Sequence, residues 1–228
     1  MKITSAEAML SAIQEAGLVP FFSNRIPGYS IEEWTPKEFW FDGDALGPWD
    51  WKIECVRSGD IAYGKYVWGG KAAFATFEVY RELVNWRRSQ RNCIPDAEER
   101  KVLDFISANG SVEMRDVRHL LGIKKSAADA LMARLQMKAL AITGDITRVY
   151  RGQDLHYSGW QVSTFCTPES LFEDAPSGAS AGFPFAAFFE ARTLRSSLTP
   201  EESYRYLAGI IRKNAPGASD AQIAKMLG

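Results

Sequence analysis

Three patterns predict an α+β fold. Between Asp96 and Phe172, three short amphipathic helical segments run directly into strand-like segments. Upstream, the β-rich runs Ile61 to Trp68 and Ala72 to Phe77 are joined by Gly69-Gly70, a pair suited to a tight hairpin. Downstream of Phe172 the periodicity returns to helix. The architecture expected is a winged helix-turn-helix unit, packed with a small N-terminal antiparallel sheet and its helices and closed by a C-terminal helical hairpin. The 228 residues suffice for a sizeable core. They divide into an N-terminal α+β region (1–94), the winged unit (95–173), and a linker with C-terminal helices (174–228).

Met1 to Gly17 places Lys2, Glu7 and Glu15 within an amphipathic helical pattern, which is not the apolar run of a signal peptide. One device recurs at Thr35-Pro36-Lys37-Glu38, Thr167-Pro168-Glu169 and Thr199-Pro200-Glu201-Glu202. In it, threonine caps a helix, proline takes the first position, and an acid meets the positive end of the dipole. Trp49 to Cys55 alternates strictly. Trp49, Trp51, Ile53 and Cys55 fall on one face and Asp50, Lys52 and Glu54 on the other, which predicts a strand. After the Gly-Gly hairpin, Val79 to Gln90 predicts an amphipathic helix with Arg81, Arg87 and Arg88 beside Leu83, Val84 and Trp86.

Pro95 to Glu98 separates this half from the winged unit. The first helix of the unit sets Val102, Leu103, Phe105 and Ile106 against Glu98, Glu99, Arg100, Lys101 and Asp104, and Asn109-Gly110 ends it. Glu113 to Leu121 predicts a second helix that buries Val117, Leu120 and Leu121 and stops at Gly122. Lys124-Lys125-Ser126 opens a third, with Ala127, Leu131 and Leu135 facing inward. Leu140 to Thr143 and Ile146 to Tyr150 read as strand, and Trp160 to Phe165 as the returning strand. Gly152-Gln153-Asp154 and Tyr157-Ser158-Gly159 supply the turn residues of the wing between them. Glu173 to Gly182, rich in Ser, Gly, Ala and Pro, reads as a loop or linker. Beyond it, Glu201 to Lys213 and Asp220 to Leu227 predict two packed helices.

Hydrophobic residues at 46% and charged residues at 24% are ordinary globular values, and the formal net charge is -1. That balance excludes a chain that holds nucleic acid by bulk charge, so any DNA site must be a local basic face. Cys55, Cys93 and Cys166 lie far apart, which predicts reduced thiols in a cytosol and neither a zinc site nor a disulfide framework. His119 and His156 stand alone. No metal or other cofactor is expected. No apolar run reaches membrane-spanning length, so no membrane partner is expected and the chain reads as cytoplasmic.

In a winged helix the third helix lies in the major groove with its N-terminal residues near base edges, while the wing approaches the backbone. Duplex DNA is therefore the expected partner. Candidate contacts are Lys124, Lys125 and Ser126 at the helix start and Arg148 and Arg151 on the wing. The bases would neutralise phosphates, and Ser126 would cap the helix or donate to a phosphate oxygen. Between Asp96 and Arg151 ten bases face eight acids, so the excess is mild. The aromatic load upstream, with Trp49, Trp51 and Tyr63 foremost, is either a pocket in which a flat ring stacks or simply core.

Gly47-Pro48-Trp49-Asp50-Trp51-Lys52, Ala62-Tyr63-Gly64-Lys65 and Gly70-Lys71 before Ala72-Ala73-Phe74 resemble the AlkZ-related proteins. So do Arg134-Leu135-Gln136-Met137 and Ser163-Thr164-Phe165-Cys166-Thr167-Pro168-Glu169. These proteins are similar to the AlkZ/YcaQ winged-helix DNA glycosylases, which remove alkylated or crosslinked bases. The resemblance covers most of the chain and implies a winged-helix build and a link to DNA damage recognition. The glycosylases act through a Gln-x-Gln or Gln-x-Asp pair, and no such pair occurs here: Gln136 is followed two places on by Lys138. The leading expectation is a DNA-binding protein without an evident catalytic motif. The alternatives are a base-excision enzyme using Asp50 or Glu54 beside the aromatics, and a non-enzymatic ligand or protein binding module.

Overall fold

The computed structural model describes residues 2–40, 46–173 and 192–228. Its helices are α1 (Ala6–Ala16), α2 (Ile31–Trp34), α3 (Pro48–Arg57), α4 (Phe77–Arg88), α5 (Ala97–Asn109), α6 (Met114–Leu121), α7 (Lys125–Met137), α8 (Pro168–Phe172), α9 (Pro200–Asn214) and α10 (Asp220–Leu227). Its strands are β1 (Leu18–Pro20), β2 (Ile61–Val67), β3 (Lys71–Thr76), β4 (Val112–Glu113), β5 (Ile142–Arg151) and β6 (His156–Cys166). Two three-stranded antiparallel sheets result, ordered β1-β3-β2 and β4-β6-β5. The protein is thus a mixed helical and antiparallel-sheet fold, as the sequence predicts.

Two cores organise it. The first gathers the β1-β3-β2 sheet with α1, α4, α9 and α10 around Met9, Ile13, Phe21, Tyr66, Phe74 and Tyr80, and includes Leu207, Ile211, Ile223 and Met226. The C-terminal helices are tied to this body through their backbones as well. Trp68 N–H donates to the Met226 carbonyl at 3.2 Å, and Asn214 Nδ2 donates to the Ala16 carbonyl at 2.8 Å. The second core belongs to α5, α6, α7 and the β4-β6-β5 sheet, and holds Val102, Ile106, Val117, Leu131, Met132, Leu135 and Phe165. Asp96 and Glu99 form a capping box at the start of α5, and Gly122 ends α6 in the left-handed conformation.

The predicted strand Trp49 to Cys55 is a helix, α3. Alternation over seven residues fits a strand, but Pro48 in the first turn, Asp50 near the N-terminus and Arg57 in the last turn are helix signals, and they win. The alternation does not mark a buried and a solvated face, since Asp50 and Lys52 are buried and Trp49 is 45% exposed, and α3 packs on two sides. Trp51 and Cys55 enter the first core, while Ile53 and Val56 pack on Ile146 of β5. Within α7 the inward positions are Ala128, Leu131, Met132 and Leu135, spaced i, i+3, i+4, i+7, and Ala127 falls off that stripe and is exposed. Leu120 of α6 is 41% exposed, which leaves Val117 as the buried residue of that helix.

The β5–β6 hairpin is longer than expected. Tyr157 and Gly159 lie in β6 and the turn is confined to Gly152–Leu155. Thr167 and Thr199 cap α8 and α9 as predicted. Thr35 does not cap; its hydroxyl donates to the Ile31 carbonyl at the end of α2, and only a 3-10 turn, Lys37–Trp40, follows. β1 is a strand of three residues, too short to leave a periodic signal, and its Pro20 is tolerated because β1 is a sheet edge. All but the first residue of the linker Glu173 to Gly182 lies outside the described residues.

Candidate nucleic-acid interface

The start of α7 is open. Lys124 is its N-cap residue, and Lys124, Lys125, Ser126, Ala127 and Ala130 are all exposed. No side chain caps the helix, so the N–H groups of Lys125 and Ser126 are left to solvent, while Ala127 N–H donates to the Lys124 carbonyl at 3.1 Å. Ser126, a cap candidate by sequence, sits inside the first turn and its hydroxyl caps nothing. Lys125 Nζ reaches Asp129 Oδ2 at 2.7 Å along its own helix, an exposed pair that holds it weakly. Lys124, Arg118 and Arg151 enter no ion pair among the described residues. Arg118 lies in the last turn of α6, just before the turn into α7. It is a base at this edge that the expected set of DNA-binding residues lacks, and helical periodicity alone marks it as solvent-facing.

One side of the second half of α7 packs on β2. Gln136 is 2% exposed, and its Oε1 accepts the Lys65 N–H of β2 at 2.8 Å while its Nε2 donates to the Met132 carbonyl at 3.2 Å. A Cβ added to Gly70, in the β2–β3 turn, would lie 3.7 Å from the Ala133 methyl. The amide that the glycosylase resemblance directs attention to is thus spent on joining the two cores.

The hairpin is braced by α3. Asp50 Oδ1 accepts from Arg148 Nε at 2.9 Å and from the Tyr157 hydroxyl at 2.7 Å. Gln161 Nε2 donates to the Trp49 carbonyl and to the Tyr157 oxygen, both at 2.9 Å. At the other end of α3, Arg57 forks onto Asp145 at 2.9 and 3.1 Å and reaches the Ile146 carbonyl at 3.1 Å. Burial acts to lower the Arg148 pKa, but the hydrogen bond and charge of Asp50 outweigh it and hold the guanidinium above its ordinary value. Arg148, expected to face phosphate, therefore faces Asp50. Asp50, expected on a solvated strand face, is 8% exposed and is the acceptor at the centre of this brace. Glu54 is exposed on α3. Arg151 does project to solvent, its guanidinium 5.4 Å from the Trp160 ring, which is itself 60% exposed.

The three aromatics expected to form a pocket do not share one wall. Trp49 packs on Phe21 and Phe22 at 5.4 Å and remains about half exposed. Trp51 is buried against Phe39 at 5.6 Å, on another side of the same helix. Tyr63 stacks on Phe74 at 4.7 Å and meets Phe21 at 6.3 Å, and burial raises its phenol above the ordinary range. Lys52 Nζ sits 4.6 Å from the Trp49 ring centroid, and burial outweighs the attraction of Asp50 to bring its pKa down to about 8. Cys55, Cys93 and Cys166 are free and buried, and among the described residues no group of three or more His, Cys, Asp or Glu side chains is placed to hold a metal. No described helix is long and apolar enough to cross a membrane.

A family model described as AlkZ related matches residues 3–228. No curated protein and no solved structure matches the chain.

Proposed function

The chain belongs to the AlkZ-related family, and from that premise we propose that it is a cytosolic winged-helix protein that binds duplex DNA, in the service of recognising damaged or distorted sites. The observation that carries this reading is the open N-terminal half of α7, which presents Lys124, Lys125 and the free N–H groups of Lys125 and Ser126 beside Arg118. An uncapped helix start beside Lys124 and Arg118, both unpaired among the described residues, is a site for phosphate oxygens. The β5–β6 hairpin serves as the wing and adds Arg151 and Trp160 at its outer end. The exposed face of α7 offers methyl groups at Ala127 and Ala130 rather than the Arg, Asn or Gln side chains that read base edges. Binding is therefore driven by backbone and shape, with little preference for base sequence.

Base excision carries less support. The Gln-x-Gln and Gln-x-Asp pairs of the AlkZ glycosylases have no counterpart in the sequence, and Gln136 is engaged with β2. The test is electrophoretic retention of a short duplex by the purified chain and by Lys124→Ala/Lys125→Ala. The wild type retains duplexes of unrelated sequence alike, and the double variant retains them several-fold less. Equal retention by both proteins would remove α7 from the interface, and no retention by either would reject the reading.

A further inference from the structure

A cleft of about 520 Å³ opens between the end of α4, the outer face of α7, the β2–β3 turn and Gly228 after α10. It shares Ala130 with the exposed face of α7 but includes none of Lys124, Lys125, Ser126 or Arg118. At its base lies Arg87, which is 3% exposed. Arg87 Nη1 donates to the Met137 carbonyl at 2.5 Å and Nη2 to the Tyr66 carbonyl at 3.1 Å, so the guanidinium is fixed by backbone on two sides. Its Nε is buried without a partner, Gly228 lies against the guanidinium so that a Cβ there would be 2.9 Å from Cζ, and no Asp or Glu side chain of the described residues pairs with it. Burial brings its pKa down to about 10, so the group is a cation at neutral pH. A buried cation without a counter-ion is costly unless an anion visits it.

The walls supply more of the same sign. Arg134 and Lys138 line the cleft and share one acid, Glu99, at 3.2 and 2.5 Å. Two bases against one acid, with Arg87 beside them, leave a surplus positive charge facing the cavity. Between these cations α7 contributes the Met137 side chain and alanine methyls, while Gln90 and Asn92 contribute amides. A bare inorganic anion would use the charge alone. A ligand with a flat apolar body, hydrogen-bonding edges and a phosphate would use every wall, and the volume lies within the range of small-molecule sites.

We propose that this cleft is a binding site for a phosphate monoester of mononucleotide size, with Arg87 as the fixed buried charge and Arg134 and Lys138 as the groups that close on the phosphate. Arg87 is a positioning and binding residue here, and no reaction is assigned to it. The phosphate can belong to a free nucleotide or to the 5′ end of a strand, and the chemistry of recognition is the same for both.

The test is a titration of the full chain with deoxyadenosine 5′-monophosphate, followed by amide NMR shifts and calorimetry, with deoxyadenosine as the control lacking phosphate. The monophosphate moves resonances of Gln90, Asn92 and Met137 at about millimolar concentration or below, and the nucleoside binds at least about tenfold more weakly. Arg134→Ala weakens the monophosphate about tenfold, the loss expected for one charge-assisted hydrogen bond. Lys124→Ala/Lys125→Ala leaves it unchanged, so failure of the DNA reading and failure of this site are separable. Arg87→Met abolishes binding; if it does not fold, Arg134→Ala and Lys138→Ala carry the test. A 5′-phosphorylated duplex that displaces the mononucleotide identifies a strand end as the source, and one that does not identifies the free nucleotide; either supports the site. Unmoved cleft resonances, equal binding of the nucleoside, or unchanged affinity in Arg134→Ala overturns the proposal.

Discussion

Asp50 shows how one side chain sets the posture of a whole hairpin. It accepts from both Arg148 and Tyr157, and removing it leaves a largely buried guanidinium and a phenol without their acceptor. Asp50→Ala should cost about 1–3 kcal/mol, the penalty of stranding buried donors. Urea unfolding measures it, and a loss below about 0.5 kcal/mol, the range of an ordinary surface change, would contradict the brace. Glu99 makes a second claim at this scale. Burial alone would raise its pKa, but hydrogen bonds from Lys138, the Asp96 backbone and Arg134 outweigh it and hold the carboxyl below its ordinary value of 4.5. A carboxyl depressed by folding contributes stability that is present above its unfolded pKa and is lost as pH falls through the folded one. The melting temperature should therefore drop as pH is lowered below 4.5, and Glu99→Gln should flatten that drop while lowering the plateau. An unchanged acid slope in Glu99→Gln would refute the assignment. Neither role is readable from sequence, since Asp50 and Arg148 are 98 positions apart and Glu99 meets Lys138 across 39.

The signals that predict elements correctly are local ones. Gly69-Gly70, Gly122 and the Thr-Pro-Glu starts at Thr167 and Thr199 act within a few residues, and each appears where the sequence places it. α3 escapes the same reading because its alternation does not follow burial: Asp50 and Lys52 are buried, Trp49 is exposed, and the helix packs on both the first core and β5. Its Pro48 and Asp50 are the local signals that identify the helix. The seam between the cores is equally hidden. Gly64 of β2 lies under Gln136, and a Cβ there would fall 2.8 Å from Gln136 Oε1 and 3.1 Å from Tyr66 Cδ1. Gly64→Ala should destabilise by about 1–3 kcal/mol through overpacking. Gln136→Ala should relieve the clash, so the double variant loses less than the two single losses added together. Strict additivity in thermal unfolding would show that the two residues do not meet.

Across the whole molecule, a chain of net charge -1 has its bases spread over the surface, so the α6–α7 turn is set apart by the open helix start beside Lys124 and Arg118 and not by an excess of unpaired charge. The expected basic face is smaller than the sequence suggests, because Arg148 turns inward to Asp50 and Arg134 and Lys138 share Glu99. The exposed helix start, by contrast, follows directly from the amphipathic period of α7 and the lysines that precede its first buried residue. The most direct measurement of the central claim is the salt dependence of duplex binding by fluorescence anisotropy. The logarithm of the affinity should fall linearly with the logarithm of salt concentration, and Lys124→Ala/Lys125→Ala should reduce the slope by about 2, near one unit for each phosphate that is no longer neutralised. A slope near zero, or one identical in the two proteins, would contradict it.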